Sequence, residues 1–288
     1  MGVFQRVTLV GVGLIGGSLG MALRARGLAR EVVGVTRAEA AVVRARQRGA
    51  IDRGGVDPAE GVDGADLVVL AVPPEHVVPM ARRVIPHLRP GALLTDVASV
   101  KAEIVRSIDA LVAPMGQAAF VGGHPMAGNE GQGIDAADPG LFDGTVYLIT
   151  PAPKTPRPAV DRLAELSRGL GAVPVEMAPD RHDRAVALVS HLPYLVAAAL
   201  MGATGDAVPA AGPAFLGATR VAGSPVALWA QICRLNRDQI REALRAFREE
   251  LARLEAAIGD GDRLQALLEA ARAARRRLGE PEQRSGGR

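Results

Sequence analysis

Three sets of residues in this chain carry groups suited to chemistry. The first is Gly11-Val12-Gly13-Leu14-Ile15-Gly16, a GxGxxG that follows the apolar run Val7–Val10 and opens a helical stretch. Alone it is weak evidence in a chain with 34 glycines. The strand before it, the helix after it and a second strand about twenty residues on are the context a dinucleotide requires. Gly11 then allows the tight turn, Gly13 lets backbone amides approach a pyrophosphate, and Gly16 permits close packing of helix on strand. The helix N-terminus adds partial positive charge. Leu14 and Ile15 sit inside this loop, and Ala71 and Val72, ending a third strand, are grouped with it as cofactor contacts. A plain Gly-rich turn is the alternative.

The second set is Thr36-Arg37, directly after the strand Val32–Val35. Proteins that prefer NAD place an Asp or Glu there to hold the ribose 2′-hydroxyl. An acid would repel a 2′-phosphate, whereas a hydroxyl and a guanidinium can bind one, so NADP is expected ahead of NAD. The third is His124, preceded by Gly122-Gly123 and followed by Pro125. Proline holds the residue before it in extended backbone, so the ring can project from a strand end. A neutral imidazole is a general base near physiological pH, although a single histidine of this kind is also a common structural residue.

These residues need a scaffold. From Arg6 to about Met177, short β-branched runs alternate with helical stretches. Val7–Val10, Val32–Val35, Leu67–Val72, Leu93–Val97, Phe120–Val121, Val146–Thr150 and Val173–Met177 read as strands, several apolar throughout, which predicts a parallel sheet buried on both faces. The helices are placed at 16–26, 37–48, 76–87, 101–110 and 159–169. After Asp180 the strands stop. An apolar helix over 181–202 contains Pro193, which predicts a kink. Residues 203–213 read as a mobile loop. Ile240, Leu244, Phe247, Leu251, Leu254 and Ile258 form one stripe of a helix over 236–258, serving a core, a subunit interface or both. The fold class is therefore α/β: a Rossmann-type dinucleotide-binding domain over 1–178 followed by an all-helical domain over 179–288. Residues 280–288 read as disordered.

The 288 residues are 48% hydrophobic and 23% charged, ordinary for a globular protein. Only 3% are aromatic, which argues against a stacking platform for single-stranded nucleic acid. The net charge is only +3 although the pI is near 9.6, and the dense cluster Arg272, Arg275, Arg276 and Arg277 reads as a solvated helix end. The single Cys233 excludes an intrachain disulfide and fits a reducing compartment. The apolar stretch 185–201, broken by Ser190, His191 and Pro193, reads as too short and too polar to span a bilayer. A cytoplasmic protein without nucleic-acid or membrane partners is expected. Asp143 reads as turn chemistry, and His76, His87 and His182 as structural or solvated.

Three further segments carry a resemblance. Thr95-Asp96-Val97-Ala98-Ser99-Val100-Lys101, Gly122-Gly123-His124-Pro125-Met126-Ala127-Gly128 and Val189-Ser190-His191-Leu192-Pro193, in this order and with the Gly-rich loop before them, resemble the signature of the prephenate/arogenate dehydrogenase family over residues 6 to about 270. The resemblance implies a Rossmann-type domain followed by an all-helical dimerisation domain, hence a homodimer. It also implies an oxidative decarboxylation in tyrosine biosynthesis. Hydride leaves the ring carbon bearing the hydroxyl, the ring carboxylate departs as carbon dioxide, and a phenol forms. A base, a hydride acceptor and substrate clamps are needed; no metal is, and no metal-ligand spacing is found.

By the same resemblance His124 is the catalytic base, and Ser99 hydrogen-bonds the base and the substrate hydroxyl. On the residues alone Ser99 is equally an N-cap for a helix beginning near Val100. Arg220 matches the position that holds the substrate's side-chain carboxylate, with a surface helix arginine as the alternative. Ser190, Trp229 and Glu130 match positions near the family's pocket. Many prephenate-using relatives carry a second histidine three residues after His191, where this chain has Tyr194; His191 alone is equally a packed core residue. With Thr36-Arg37, this departure points to the NADP-dependent arogenate branch, ahead of NAD-dependent prephenate oxidation. No fused mutase domain is expected before Val7 and no regulatory domain after the last helix, so feedback by tyrosine, if present, is expected to act at the active site. A 3-hydroxyacid dehydrogenase-like or imine reductase, and a non-enzymatic dinucleotide sensor or dimeric scaffold, are the competing readings.

Overall fold

The computed structural model describes residues 4–116, 118–129 and 131–277. Strand β1 (Phe4–Val10) leads through the Gly-rich loop into helix α1 (Leu14–Ala25), and β2 (Ala29–Val35), α2 (Glu39–Gln47) and β3 (Arg53–Gly55) follow. Then come α3 (Pro58–Val62), β4 (Leu67–Leu70), α4 (Pro74–Val84), β5 (Leu93–Asp96) and α5 (Ala102–Val112). Neither β3 nor α3 was expected from the sequence. Strand β3 is three residues, two of them glycine, so it carries no β-branched signal. Helix α3 is one turn, started by Asp57 accepting the Ala59 N–H and by Pro58 at the first helical position.

The second half of the sheet is β6 (Ala119–Pro125), β7 (Val146–Thr150) and, beyond α6 (Arg157–Gly169), β8 (Val173–Glu176). The strand order is β3-β2-β1-β4-β5-β6-β7-β8. Its first six strands have the order of a dinucleotide fold, which opens its crevice between β1 and β4, where the winding reverses. All pairs are parallel except β6 with β7. The expectation of an entirely parallel sheet is therefore corrected at one place. Between β6 and β7 the described residues hold only the 3₁₀ turn Ile134–Ala136 and no α-helix. Without a helical crossover the next strand returns antiparallel.

Apolar side chains pack on both faces of the sheet. Leu9, Leu19, Leu23, Leu67 and Leu163 lie in one cluster, and Val68, Leu70, Val77, Ala81 and Ile108 in the other. Each Leu, Ile or Val among them contributes about 1.5–3 kcal/mol relative to exposure. The β4 residues are all buried, which is why that strand reads as continuously apolar.

Beyond the sheet, α7 (Pro179–Val186) passes into a π-helical turn (Ala187–His191) and then α8 (Leu192–Thr204). The kink expected at Pro193 takes this form. Proline has no N–H to offer and its ring crowds the carbonyl of Val189 four residues back, so the ladder widens by one residue instead of breaking. The expected mobile loop is partly ordered as a 3₁₀ helix over Gly205–Ala210. The helical run Pro179–Ala210 is long and apolar enough to cross a membrane by length and composition, which corrects the expectation of a segment too short to do so. Three helices follow: α9 (Pro213–Thr219), α10 (Val226–Leu235) and α11 (Arg237–Glu255).

Helix α12 (Gly261–Arg277) completes the described chain, and residues 280–288, read as disordered from sequence, lie outside the described residues. Contacts divide the chain into two compact units, one through Ile240 and one from Arg241. In the smaller unit Leu244, Phe247 and Leu254 of the expected stripe are half-buried, while Leu251 and Ile258 are exposed. Helix α12 buries no residue at all.

Candidate active site

Two of the three motif glycines in the first loop, Gly11 and Gly16, have a steric reason in the fold itself. Gly11 sits at φ +96°, a conformation that favours glycine, and donates its N–H to Val35 at 2.9 Å. A Cβ there would lie 2.3 Å from the Ala71 carbonyl oxygen, and one on Gly16 would lie 2.1 Å from the Gly11 carbonyl oxygen. Ala71 and Val72, just past β4, therefore wall the loop. Gly13 differs: it caps α1, and a Cβ on it would meet nothing within 4 Å. Helix α1 has neither a side-chain cap nor an acid in its first turn. Its leading N–H groups are therefore open to an anion. These residues fit a dinucleotide pyrophosphate.

Just past the end of β2, Thr36 donates its backbone N–H to the Gly55 carbonyl at 3.0 Å and its hydroxyl to the Ala38 carbonyl at 2.8 Å. Arg37 beside it is exposed, so the guanidinium is the donor left for a 2′-phosphate.

His124 lies inside β6, opposite Leu148 of β7, and is only 6% exposed. The expectation of a ring projecting from a strand end is thus replaced by a ring held within a buried strand. The two preceding glycines are needed for packing. A Cβ on Gly122 would lie 2.4 Å from Thr150 Oγ1, and one on Gly123 2.8 Å from the Asp96 carbonyl oxygen. Lys101 Nζ, fully buried, pairs with the Asp96 carboxylate and donates to the Gly123 carbonyl at 2.8 Å. Asp96 also accepts the Gly123 and Ala98 N–H groups. The ends of β5 and β6 are clamped together by this pair.

His124 Nδ1 lies 2.9 Å from His182 Nε2, and His182 Nδ1 lies 2.8 Å from Asp183 Oδ1. Asp183 also accepts the backbone N–H groups of Lys101 at 2.8 Å and Ala102 at 2.9 Å. His182 was read from sequence as lacking any constellation; the structure corrects this, because α7 brings it against a residue 58 positions away. Burial, then the neighbouring His182, Lys101 and His191, holds the His124 pKa well below that of a free imidazole. The ring is therefore neutral.

Ser99 is half-buried after β5. Its alternative role as a helix cap is not realised: α5 begins at Ala102, and Asp183 accepts its leading N–H groups from across the fold. Ser190 is half-buried in the π turn. His191 is fully buried; Asn236 Nδ2 lies 3.2 Å from its Nδ1 and donates to the Asp183 carbonyl at 2.8 Å. His191 Nε2 has no hydrogen-bond partner among the described residues. Desolvation brings the His191 pKa down to about 4. Trp229 gathers the rest of the cluster, meeting His191 edge-on at 5.9 Å and stacking on Tyr194 at 3.9 Å with planes 1° apart.

Arg220 opens the exposed 3₁₀ turn Arg220–Gly223, which packs on α8. Glu130 lies outside the described residues. Asp143 holds an ion pair with Arg26 and no place in the site. Sequence reasoning passed over Asp96, Lys101, His182, Asp183 and Asn236. The DVASVK segment contained the first two, but the other three are joined to the site only by long-range folding.

The family model for the nucleotide-binding domain of prephenate dehydrogenase matches residues 19–176, and that for its dimerisation domain matches residues 178–270. A curated prephenate dehydrogenase of Bacillus subtilis is 33% identical over 265 residues, covering 89% of this chain and 71% of the relative. The crystal structure of a Synechocystis arogenate dehydrogenase superposes with a TM-score of 0.82 at 33% identity, covering 95% of this chain and 100% of the other. A prephenate dehydrogenase from A. aeolicus, solved with hydroxyphenyl propionate and NAD+, gives a TM-score of 0.87 at 28% identity over 95% and 98% of the two chains.

Proposed function

The chain belongs to the prephenate dehydrogenase family, a nicotinamide-dependent oxidoreductase family, and on that premise we propose that it oxidises arogenate to tyrosine with NADP, with prephenate as the alternative substrate. The observation that carries the proposal is the buried, neutral imidazole of His124 within β6, two strands beyond β4, which flanks the crevice that the Gly-rich loop borders. A neutral imidazole takes the ring hydroxyl proton as the carbon beneath it is oxidised. Ser99 then hydrogen-bonds that hydroxyl, and Arg220 holds the side-chain carboxylate in a bidentate contact. His191 Nε2, buried and unpartnered, supplies a further donor to the bound acid. Ser190, Trp229, Tyr194 and Glu130 complete the substrate pocket in this reading. Residues 11–16 with Ala71 and Val72 would hold the dinucleotide, which when bound would supply the hydride acceptor, and loss of carbon dioxide from the substrate would complete the aromatic ring.

The preference for arogenate rests on Tyr194. Its ring is committed to the stack on Trp229, so it does not stand in for an imidazole. The Synechocystis arogenate dehydrogenase supports this choice, whereas the B. subtilis relative is named for prephenate. The NADP preference rests on Arg37 and the absence of an acid at residue 36. The NAD+ bound to the A. aeolicus enzyme favours the second reading, NAD-dependent oxidation of prephenate.

Residues 179–288 form the dimerisation half in this proposal, and the working unit is a cytoplasmic homodimer. Val189 is 68% exposed and α12 buries nothing, so apolar helical surface is left for a partner copy to cover.

The direct test mixes the protein with NADP or NAD and with arogenate or prephenate, and follows reduced-nicotinamide absorbance. Reduction of NADP with arogenate is expected to have the highest kcat/KM. No reduction in any of the four mixtures would refute the proposal. His124→Ala is expected to lower kcat by roughly 10²–10⁴ with little change in KM.

A further inference from the structure

Which nitrogen of His124 faces the substrate follows from hydrogen-bond arithmetic. Asp183 receives two backbone N–H groups, from Lys101 and Ala102, one on each carboxylate oxygen. An acid so placed is an acceptor, so the proton on the 2.8 Å contact belongs to His182 Nδ1. Burial is the largest influence on His182 and keeps it neutral, against the opposing pull of Asp183. A neutral ring with its proton on Nδ1 presents a bare lone pair at Nε2. That lone pair lies 2.9 Å from His124 Nδ1, and two bare nitrogens cannot form such a contact. His124 Nδ1 therefore donates, and the neutral His124 ring keeps its own lone pair on Nε2.

We infer that His182 and Asp183 are a positioning pair that fixes His124 in the tautomer with its proton on Nδ1, leaving Nε2 as the atom that takes the substrate's proton. The inference rests on the reading of His124 as the base. Neither partner touches the substrate; both act through the imidazole. The pair also makes the product of proton transfer tolerable. When His124 becomes an imidazolium, its Nδ1–H still points at a lone pair, and the Asp183 carboxylate stands one ring further on. The other charged or titratable groups around His124 are Lys101, which opposes the imidazolium, Asp96, which pairs with Lys101, and His191, which has its own bond to Asn236. Among the described residues, His182 is the group of these that hydrogen-bonds the ring.

The experiment compares His182→Ala with His182→Gln in the full chain. Alanine removes the acceptor, leaves both tautomers accessible and frees the ring to turn. Glutamine offers an amide oxygen near the former Nε2 position, which accepts the Nδ1–H but carries no titratable proton. His182→Ala is expected to lower kcat about 100-fold, below the ~10⁴-fold seen where a triad loses its tautomer-fixing acid. KM for the cyclohexadienyl acid and for the dinucleotide should stay within about three-fold, because neither ligand is touched. His182→Gln is expected to recover at least about ten-fold of that loss, as restored orientation alone would do. The acid limb of kcat against pH should move in both variants. In enzyme labelled with ¹⁵N-histidine, the wild type and His182→Gln should show the His124 proton on Nδ1, and His182→Ala a mixture.

A His182→Ala enzyme with near-wild-type kcat would overturn the inference, as would a wild-type spectrum that places the proton on Nε2. A loss that glutamine does not recover would overturn it equally. If His182→Ala does not fold, the wild-type and His182→Gln spectra decide. The His124→Ala variant separates the two levels: near-normal turnover there removes the base itself, whereas an inert His124→Ala beside a healthy His182→Ala removes only the positioning pair.

Discussion

Gly13 and Gly16 stand three residues apart in one loop, yet replacing each by alanine should damage different properties. At Gly16 a methyl group would lie 2.1 Å from the Gly11 carbonyl oxygen, with the Ala71 side chain 3.1 Å away. Ordinary carbon–oxygen contact is roughly an ångström longer, so backbone must move. Overpacking of this kind costs about 1–3 kcal/mol, and for a protein of this size each kcal/mol lowers Tm by about 2–4 °C. Gly16→Ala should therefore lose about 2–12 °C. At Gly13, φ is −95° and no atom lies within 4 Å of the new methyl, so the apo fold accepts it at a cost of only about 0.5–1 kcal/mol, by which alanine is the poorer cap. The methyl instead occupies the space a pyrophosphate must enter. Loss of one charge-assisted bond costs about 1.5–3 kcal/mol, or about 10–150-fold in Kd. The assay is thermal unfolding of both variants without ligand, followed by calorimetric titration with NADP and NAD. A Gly13→Ala protein that binds the dinucleotide like the wild type, or that melts as early as Gly16→Ala, would refute the steric reasoning.

Thr36→Asp should turn the cofactor ratio toward NAD by at least about ten-fold in kcat/KM, since a carboxylate repels a 2′-phosphate and accepts a 2′-hydroxyl; an unchanged ratio would remove residue 36 from cofactor choice. Lys101→Met would strand the Asp96 carboxylate in a fully buried position, costing about 3–5 kcal/mol, and urea unfolding should show it. A double variant with Asp96→Asn should recover part of that loss, and no recovery would mean the pair is not the cause. Acid should weaken the fold before carboxylates titrate. His191 titrates in the unfolded chain near 6.5 and in the fold at about 4, so the unfolded state binds the proton first. The stability His191 contributes is complete above pH 6.5 and is lost by ~1.4 kcal/mol per pH unit as pH falls toward 4. His124 and His182, also depressed, add in the same direction. Denaturant midpoints measured at pH 7, 6 and 5 check this, and a flat profile would contradict it.

The parts of this molecule that were readable from sequence are those governed by local rules. The first loop was legible because turn, helix start and strand end lie within ten residues. The π turn was half legible: Pro193 announced a disturbance at the right place, but its form depends on α7 and α8 both staying packed. The His124–His182 contact was not legible, because no periodicity links two histidines 58 residues apart. The same holds for the α5 cap. A serine at the expected position suggested local capping, while the fold uses an aspartate from α7 and so ties the helix start to the histidine pair. The antiparallel β7 could have been inferred from the missing crossover helix, a signal that the run of apolar strands obscured.

The reversed strand pair also limits how this protein can be re-engineered. Residues 134–138, which follow His124 in the chain, pack over α1. Ile134 fills the hollow above Gly17, where a methyl would sit 2.4 Å from its Cδ1. Ser18 accepts the Asp138 N–H at 2.9 Å, and Arg44 of α2 grips Asp135. A graft of residues 11–47 from a relative, made to exchange one nicotinamide for another, would therefore arrive with a mismatched seat unless residues 134–138 travel with it. Residues 11–47 and 134–138, distant in the chain, form a single module for transplantation.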